Sequence, residues 1–283
     1  MNTFTINLEK VKNNYETLKK ALPDALIAYA IKANYDKKIL QTLSQLDCIA
    51  EACSTYEQKI AEKTGFKKII RNGYEPNGKT WLTNVELIND REHVKGLIGA
   101  RLNTDPKSKL GMSEQEILKH KWDAISIHTR ENFNQALNKA EELASKTGAR
   151  YVDAGGGFAQ DRIDSLKKTK HELIIEPGRY LVANACQIIT KVLAIKQDKI
   201  IIDTGMNLLN KFSDSRYTIK SMKEGPKKPY KVYGPIPTDI DTIGTHNLPI
   251  TKKGDTLIIE NAGAYTLSML SNWVLGKPKI KYI

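Results

Sequence analysis

Three segments of this sequence combine residue types suited to chemistry: a lysine in an apolar run, a triplet of glycines, and a Glu-Pro-Gly-Arg string. Lys32 stands in Tyr29-Ala30-Ile31-Lys32-Ala33-Asn34. A charged amine is costly in such surroundings unless paired or neutral. The residue is therefore either a strand-end lysine reaching solvent or an amine of lowered pKa, ready to form an imine. Gly155-Gly156-Gly157 lets the backbone approach an anion and turn several N–H groups toward it, although a plain tight turn would use the same residues. In Glu176-Pro177-Gly178-Arg179 the carboxylate could keep a heterocyclic nitrogen protonated. The arginine could grip a carboxylate or phosphate through a forked contact; a surface Glu–Arg pair in a turn would read alike. His128 could stack on an aromatic ring or be structural. Tyr265, beside Gly263 and Ala264, is either a core aromatic or a hydroxyl donor to phosphate.

The elements that must position these residues follow from the apolar periodicity. Short apolar runs at 27–33, 48–54, 68–74, 84–89, 97–103, 124–129, 150–156 and 172–178 predict eight strands. Helical spacing fills several gaps. Leu8, Val11, Tyr15, Leu18 and Leu22 predict a helix over 8–22 behind Asn7 as a cap; Phe133, Ala136, Leu137, Ala140 and Leu143 predict another over 131–146. Strands alternating with helices imply an α/β fold, a parallel (β/α)8 TIM-type barrel over residues 7–184. Beyond 184 the runs become strand-like with turn residues between them, which predicts a C-terminal β-domain over 185–283 whose sheet residues 1–6 could join. Barrel sites sit at the carboxyl ends of the strands, with phosphate after strands seven and eight. The glycine triplet and Glu176 fall there.

Bulk composition narrows the classes. Of 283 residues, 40% are apolar and 27% charged, as in an ordinary globular protein. The formal charge of +12 comes from lysines spread along the chain, with no interleaved aromatics, so no specific nucleic-acid site is expected. The lysines read as solvated faces or as a field favouring anionic ligands. No apolar run of membrane-spanning length occurs, and the opening MNTFTINLEK has no apolar signal-peptide core. Cys48, Cys53 and Cys186 form an odd set without metal-ligand spacing. Reduced thiols, no metal and a cytoplasmic setting are the expectation.

Taken in order, these segments resemble the fold-type III pyridoxal-phosphate decarboxylases, the family of diaminopimelate, ornithine, arginine and carboxynorspermidine decarboxylases. Tyr29–Asn34 looks like its cofactor-lysine motif, Glu51-Ala52-Cys53-Ser54 like its Asp-Val-Ala-Ser, and Ser108-Lys109-Leu110-Gly111 like its Ser-Lys-Phe-Gly. Asp153-Ala154-Gly155-Gly156-Gly157 resembles its phosphate-binding run, Glu176-Pro177-Gly178-Arg179 its signature near the pyridine nitrogen, and Gly263-Ala264-Tyr265 its late tyrosine. The resemblance implies a carboxy-lyase using pyridoxal 5'-phosphate. Lys32 would hold the cofactor as a Schiff base, Glu176 would pair with the ring nitrogen and His128 would stack on the ring. Gly155, Gly156, Gly157, Gly178, Arg179 and Tyr265 would surround the phosphate, with Ser54 among the cofactor contacts and Arg179 also near substrate. It implies a homodimer as well.

Departures from that family's pattern are informative. Where the family carries Gly-Pro-x-Cys, this chain has Gly234-Pro235-Ile236-Pro237, and none of the three cysteines matches the missing position. Thr238, Asp239, a water or Lys32 would then have to return the proton after carbon dioxide leaves. His128-Thr129-Arg130-Glu131-Asn132 looks closer to the carboxynorspermidine branch than to the diaminopimelate enzymes, and the chain is short for the family. Together with the positive charge, this implies a 3-amino-3-carboxypropyl group on a larger, anionic or nucleotide-linked molecule as substrate. The alternatives are an alanine-racemase-like enzyme, which would need a catalytic tyrosine facing Lys32, and a cofactor-binding protein without catalysis.

Overall fold

In the computed structural model the described residues are 2–72, 85–89, 97–108, 110–129, 131–209 and 217–283. Of the segments above, Gly73, Tyr74, Asn84, Lys109 and Arg130 lie outside them. The chain divides into two compact units, Lys12–Leu181 and Met1–Val11 with Val182–Ile283.

The chain opens with β1 (Thr3–Ile6) and α1 (Leu8–Ala21). Asn7 caps the helix, its Oδ1 accepting the Lys10 amide at 2.8 Å, and Val11, Tyr15, Leu18 and Leu22 are buried at the predicted spacing. There follow β2 (Leu26–Ala30), α2 (Lys37–Ser44), β3 (Ile49–Ala52), α3 (Thr55–Thr64), β4 (Lys68–Arg71), β5 (Val85–Asn89) and β6 (Leu97–Arg101). The barrel unit continues through α4 (Glu114–Ile117), β7 (Ala124–Ser126), α5 (Phe133–Thr147), β8 (Tyr151–Asp153), α6 (Ile163–Leu166) and β9 (Glu172–Ile175). In α5 the predicted face, Ala136, Leu137, Ala140 and Leu143, is buried.

Strands β2 to β9 close into a barrel in chain order, β9 returning to β2 through Leu26↔Ile174 and Ile27↔Ile175. Eight parallel strands were expected, and one departs: β5 pairs antiparallel with both β4 and β6. A parallel neighbour needs a crossover of a dozen or more residues, whereas an antiparallel one needs only a turn. Residues 90–96 are too few for a crossover, so β5 reverses, β6 reverses again, and β6–β9 run with β2–β4. The barrel floor is plugged by Ala28, Ile49, Ile70, Ala124, Tyr151 and Ile174, each from a different strand and each buried. No helix among the described residues is long and apolar enough to cross a membrane.

After α7 (Arg179–Val182) the second unit is a sheet of β10 (Cys186–Lys196), β11 (Lys199–Ile202), β12 (Thr218–Ser221), β13 (Lys227–Tyr233), β14 (Thr242–Pro249), β15 (Thr256–Glu260) and β16 (Lys279–Tyr282). Its order is β12-β15-β10-β11-β13-β14, and β1 bridges β10 and β16. The Gly234–Asp241 turn is tied down by one side chain. Asp241, 1% exposed, accepts the Met206 amide at Oδ1 (2.6 Å) and the Ile236 amide at Oδ2 (2.9 Å). Removing the carboxylate leaves both amides without an acceptor, at about 1–3 kcal/mol for each buried donor. Asp241→Ala is therefore expected to lower the stability of the full chain by roughly 2–4 kcal/mol, read as a lower urea midpoint, with Asp241→Asn losing less because one acceptor remains.

Candidate active site

Successive residues of a strand point to opposite faces, so every second residue enters the barrel. Two residues above the apolar plug the inward positions become polar: Glu51 over Ile49, Asn72 over Ile70, Ser126 over Ala124, Asp153 over Tyr151 and Glu176 over Ile174. Two residues further stand Lys32, Cys53, His128, Gly155 and Gly178. The strand register aligns the layers: Ala30 pairs with Glu51, and Ser126 with Asp153. Lys32 was expected inside a strand. Instead β2 ends at Ala30 and Ile31–Ala33 forms a single 3-10 turn, which lifts the lysine to the carboxyl end of the barrel.

There Lys32 Nζ donates to both oxygens of Glu51, at 2.9 Å (Oε1) and 2.7 Å (Oε2). Glu51 is 1% exposed and the Lys32 side chain 36% exposed: the carboxylate is sealed while the amine looks out. Burial alone would lower the lysine's pKa, but the Glu51 charge, with Cys53 and Glu176 close by, carries it well above its ordinary value. Burial likewise opposes the Glu51 carboxylate, and Lys32 with the hydrogen bonds from Cys53 and Asn72 holds it below its usual range. The Cys53 thiol joins the pair, its Sγ 3.1 Å from Lys32 Nζ and 3.0 Å from Glu51 Oε1. Asn72 Nδ2 bridges Glu51 Oε1 (3.2 Å) and Glu176 Oε1 (2.5 Å).

Glu176 and Asp153 are the unbalanced part of this layer. Both are buried. Burial first, then the neighbouring carboxylates of Asp153 and Glu51, raises the Glu176 carboxyl well above its usual range. Asp153 is pushed up to about 6 by burial, although the Gly155 amide donates to its Oδ1 at 2.8 Å. Arg101, half-buried, opposes this negative charge, with its own pKa lowered by burial. A ligand bringing a protonated ring nitrogen to Glu176 would meet the remaining demand for positive charge. His128 is exposed, yet partial desolvation by its surroundings, then the charges of Arg101 and Lys32, lowers it to about 4.

The glycine run has steric reasons for its composition. Gly155 has a φ of +64°, and a Cβ there would lie 1.9 Å from the Ile127 carbonyl oxygen, so no side chain fits. At Gly156 a Cβ would come within 2.7 Å of His128 Nε2, so imidazole and glycine run are packed against each other. Gly157 is exposed, and Gly178 and Arg179 are half-buried beyond β9. Ser54, expected among the cofactor contacts, is the N-cap of α3, its Oγ accepting the Glu57 amide at 3.2 Å. Asp239 and Tyr265 belong to the sheet unit, Asp239 exposed and Tyr265 half-buried with a φ of +62°. Sequence reasoning gave no role to Glu51, Asn72, Arg101, Ser126, Asp153 or the Cys53 thiol. Counting in twos from the apolar plug would have found all but Arg101, whose strand gives the plug no residue.

Comparison with known proteins identifies the family. Residues 29–263 match the family described as pyridoxal-dependent decarboxylase, C-terminal sheet domain. The chain is 27% identical to the diaminopimelate decarboxylase of Helicobacter pylori, over 98% of this chain and 88% of that protein. It is also 27% identical to that of Aquifex aeolicus, over 93% and 81%. Among solved structures, H. pylori diaminopimelate decarboxylase complexed with L-lysine superposes with a TM-score of 0.83 at 23% identity, covering 100% of this chain and 91% of that one. The arginine decarboxylase of Paramecium bursaria Chlorella virus gives 0.80 at 18%, covering 100% and 95%. At such identities these two likenesses speak for the fold.

The raised Asp153 sets a pH dependence. The folded state holds this proton more tightly than the unfolded chain, whose aspartate titrates near 3.8. Its contribution to stability is complete below that value and is lost as pH rises through about 6. Asp153→Asn, which cannot ionise, should therefore gain on the wild type by on the order of 2–3 kcal/mol between pH 4 and pH 8, measured by urea unfolding without added ligand.

Proposed function

The chain belongs to the pyridoxal-dependent decarboxylases, and from that premise we propose that Lys32 anchors its cofactor while the α-carboxylate of an amino-acid-like substrate departs. It is a carboxy-lyase that uses pyridoxal 5'-phosphate. The observation that carries the assignment of Lys32 is its amine, 2.7 Å from a sealed carboxylate and in the same barrel mouth as Glu176.

When bound, the cofactor supplies the electron sink into which the bond to carbon dioxide can break. The rest is work for the protein's own groups. Glu51 holds Lys32 Nζ at the barrel mouth, and the amine's exposed side lets it give its proton to water before it attacks an aldehyde. Glu176 keeps a ring nitrogen protonated, and Asn72, donating to Oε1, leaves the other oxygen for that contact. The neutral imidazole of His128 offers a flat, uncharged face for stacking. Gly155, Gly156, Gly157 and Gly178 let backbone amides approach the phosphate, with Arg179 and Tyr265 as further partners and Ser54 at the start of α3.

The substrate we propose is a 3-amino-3-carboxypropyl group on a larger molecule, carboxynorspermidine-like or nucleotide-linked. The +12 charge and the proline at 237 support this reading. A homodimer in the cytoplasm goes with it, from the family resemblance. The relatives named diaminopimelate decarboxylase make diaminopimelate the necessary comparison. Carbon dioxide release should favour the conjugates over free diaminopimelate, lysine and ornithine by at least about tenfold in kcat/KM, or 1.4 kcal/mol; a preference for diaminopimelate would end the substrate proposal. Lys32→Ala should lose the visible absorbance of the bound cofactor and lower turnover by more than about 10³-fold. Borohydride reduction of the loaded wild type should label the peptide containing Lys32.

A further inference from the structure

Cys53 has no part in the reading above, yet its thiol sits in hydrogen-bonding contact with both members of the ion pair. Its place is fixed from two sides. It stands two residues beyond Glu51, just past the end of β3, and it immediately precedes Ser54, the cap of α3. Its backbone amide donates to Glu57 Oε2 at 2.6 Å, and Glu57 Oε1 is held in turn by the Tyr35 hydroxyl at 2.7 Å. Glu57 is 4% exposed, so the whole turn is anchored in the interior. The side chain therefore emerges beside Lys32, with Nζ as its donor and Glu51 Oε1 as its acceptor.

We propose that Cys53 returns the proton to the substrate's α-carbon after carbon dioxide has left, a role that rests on the decarboxylase reading. The electron pair left by the departing carboxylate forms a C–H bond with the thiol hydrogen; the S–H bond breaks and sulfur keeps its electrons. The thiolate is formed 3.1 Å from Lys32 Nζ, which the substrate's amine has by then displaced and which stands protonated. Lys32 passes one proton to Sγ, leaving a neutral amine able to take up the aldehyde again. Because 36% of its side chain is exposed, Lys32 can regain a proton from water. One proton is consumed for each carbon dioxide released, and every group ends as it began.

Two features support the direction of transfer. Burial, reinforced by the Glu51 charge, raises the thiol's pKa, so sulfur carries its proton until an acceptor stronger than water appears. The other cysteines cannot serve: Cys186 is buried in the sheet unit, and the Cys48 thiol is spent on the carbonyls of Ile27 and Ile49. Both act as internal controls.

The test uses loaded holoenzyme of the wild type, Cys53→Ala, Cys53→Ser and Asp239→Asn. Cys53→Ala should keep its cofactor absorbance and KM within about two- to threefold while kcat falls about 10²-fold, and Cys53→Ser should recover part of the loss. Independently of turnover, iodoacetamide labelling followed by mass spectrometry should show the cofactor slowing modification of Cys53 at least about tenfold, with Cys48 and Cys186 unchanged. The proposal is overturned by retained kcat in Cys53→Ala, by loss of cofactor from both Cys53 variants, by labelling indifferent to the cofactor, or by a loss of kcat confined to Asp239→Asn. A wild type that binds cofactor but releases no carbon dioxide would overturn the decarboxylase reading as well, which separates the two failures.

Discussion

The contact on which the site depends is the ion pair between a sealed Glu51 and a half-open Lys32. A lysine at the rim of an apolar barrel would otherwise lose its charge or turn to solvent. Glu51 holds it in place, and the carboxylate in turn survives burial only because Lys32, Cys53 and Asn72 all donate to it. Neither partner is tolerable alone, so the two positions specify each other. The same contact fixes the amine at the carboxyl end of the barrel with its open side toward solvent.

Around that pair the barrel carries more acid than base. Asp153, Glu51 and Glu176 share a small volume, with Lys32 and Arg101 opposing them. Crowded carboxyls in low dielectric keep protons that they would release in water. A fold would gain nothing from such crowding for stability alone, because the layer beneath shows that apolar side chains fill the same barrel without difficulty. Under the proposed function, that surplus of acid would receive a positively charged ring nitrogen.

The barrel is also economical in chain length. The reversed β5 closes the wall between β4 and β6 by antiparallel pairing on both sides, and it does so where the site takes little. Lys32, Glu51, Cys53, His128, Asp153 and Glu176 all come from β2, β3, β7, β8, β9 and the turns that follow them. Of the site residues described, Asn72 after β4 and Arg101 in β6 are the two that come from the strands flanking β5.

The sequence by itself determined the strand positions, the cap of α1, the buried face of α5 and the order of motifs from Lys32 to Tyr265, because all of these are local patterns of spacing or of unusual residues. It also marked Lys32, His128, Gly155 and Glu176 through their place at predicted strand ends. What it could not determine was direction and depth. The reversal of β5 depends on how barrel closure is met by a short segment, and the turn that takes Lys32 out of β2 depends on packing at the rim. Ser54 reads only as a cofactor contact until the fold adds a second role, its hydroxyl accepting the Glu57 amide at the start of α3. Cys53 is one unremarked residue in a motif until the pairing of Ala30 with Glu51 brings its sulfur against the lysine. Contacts between residues far apart in the chain are set by register and closure, and those are properties of the assembled barrel rather than of any segment within it.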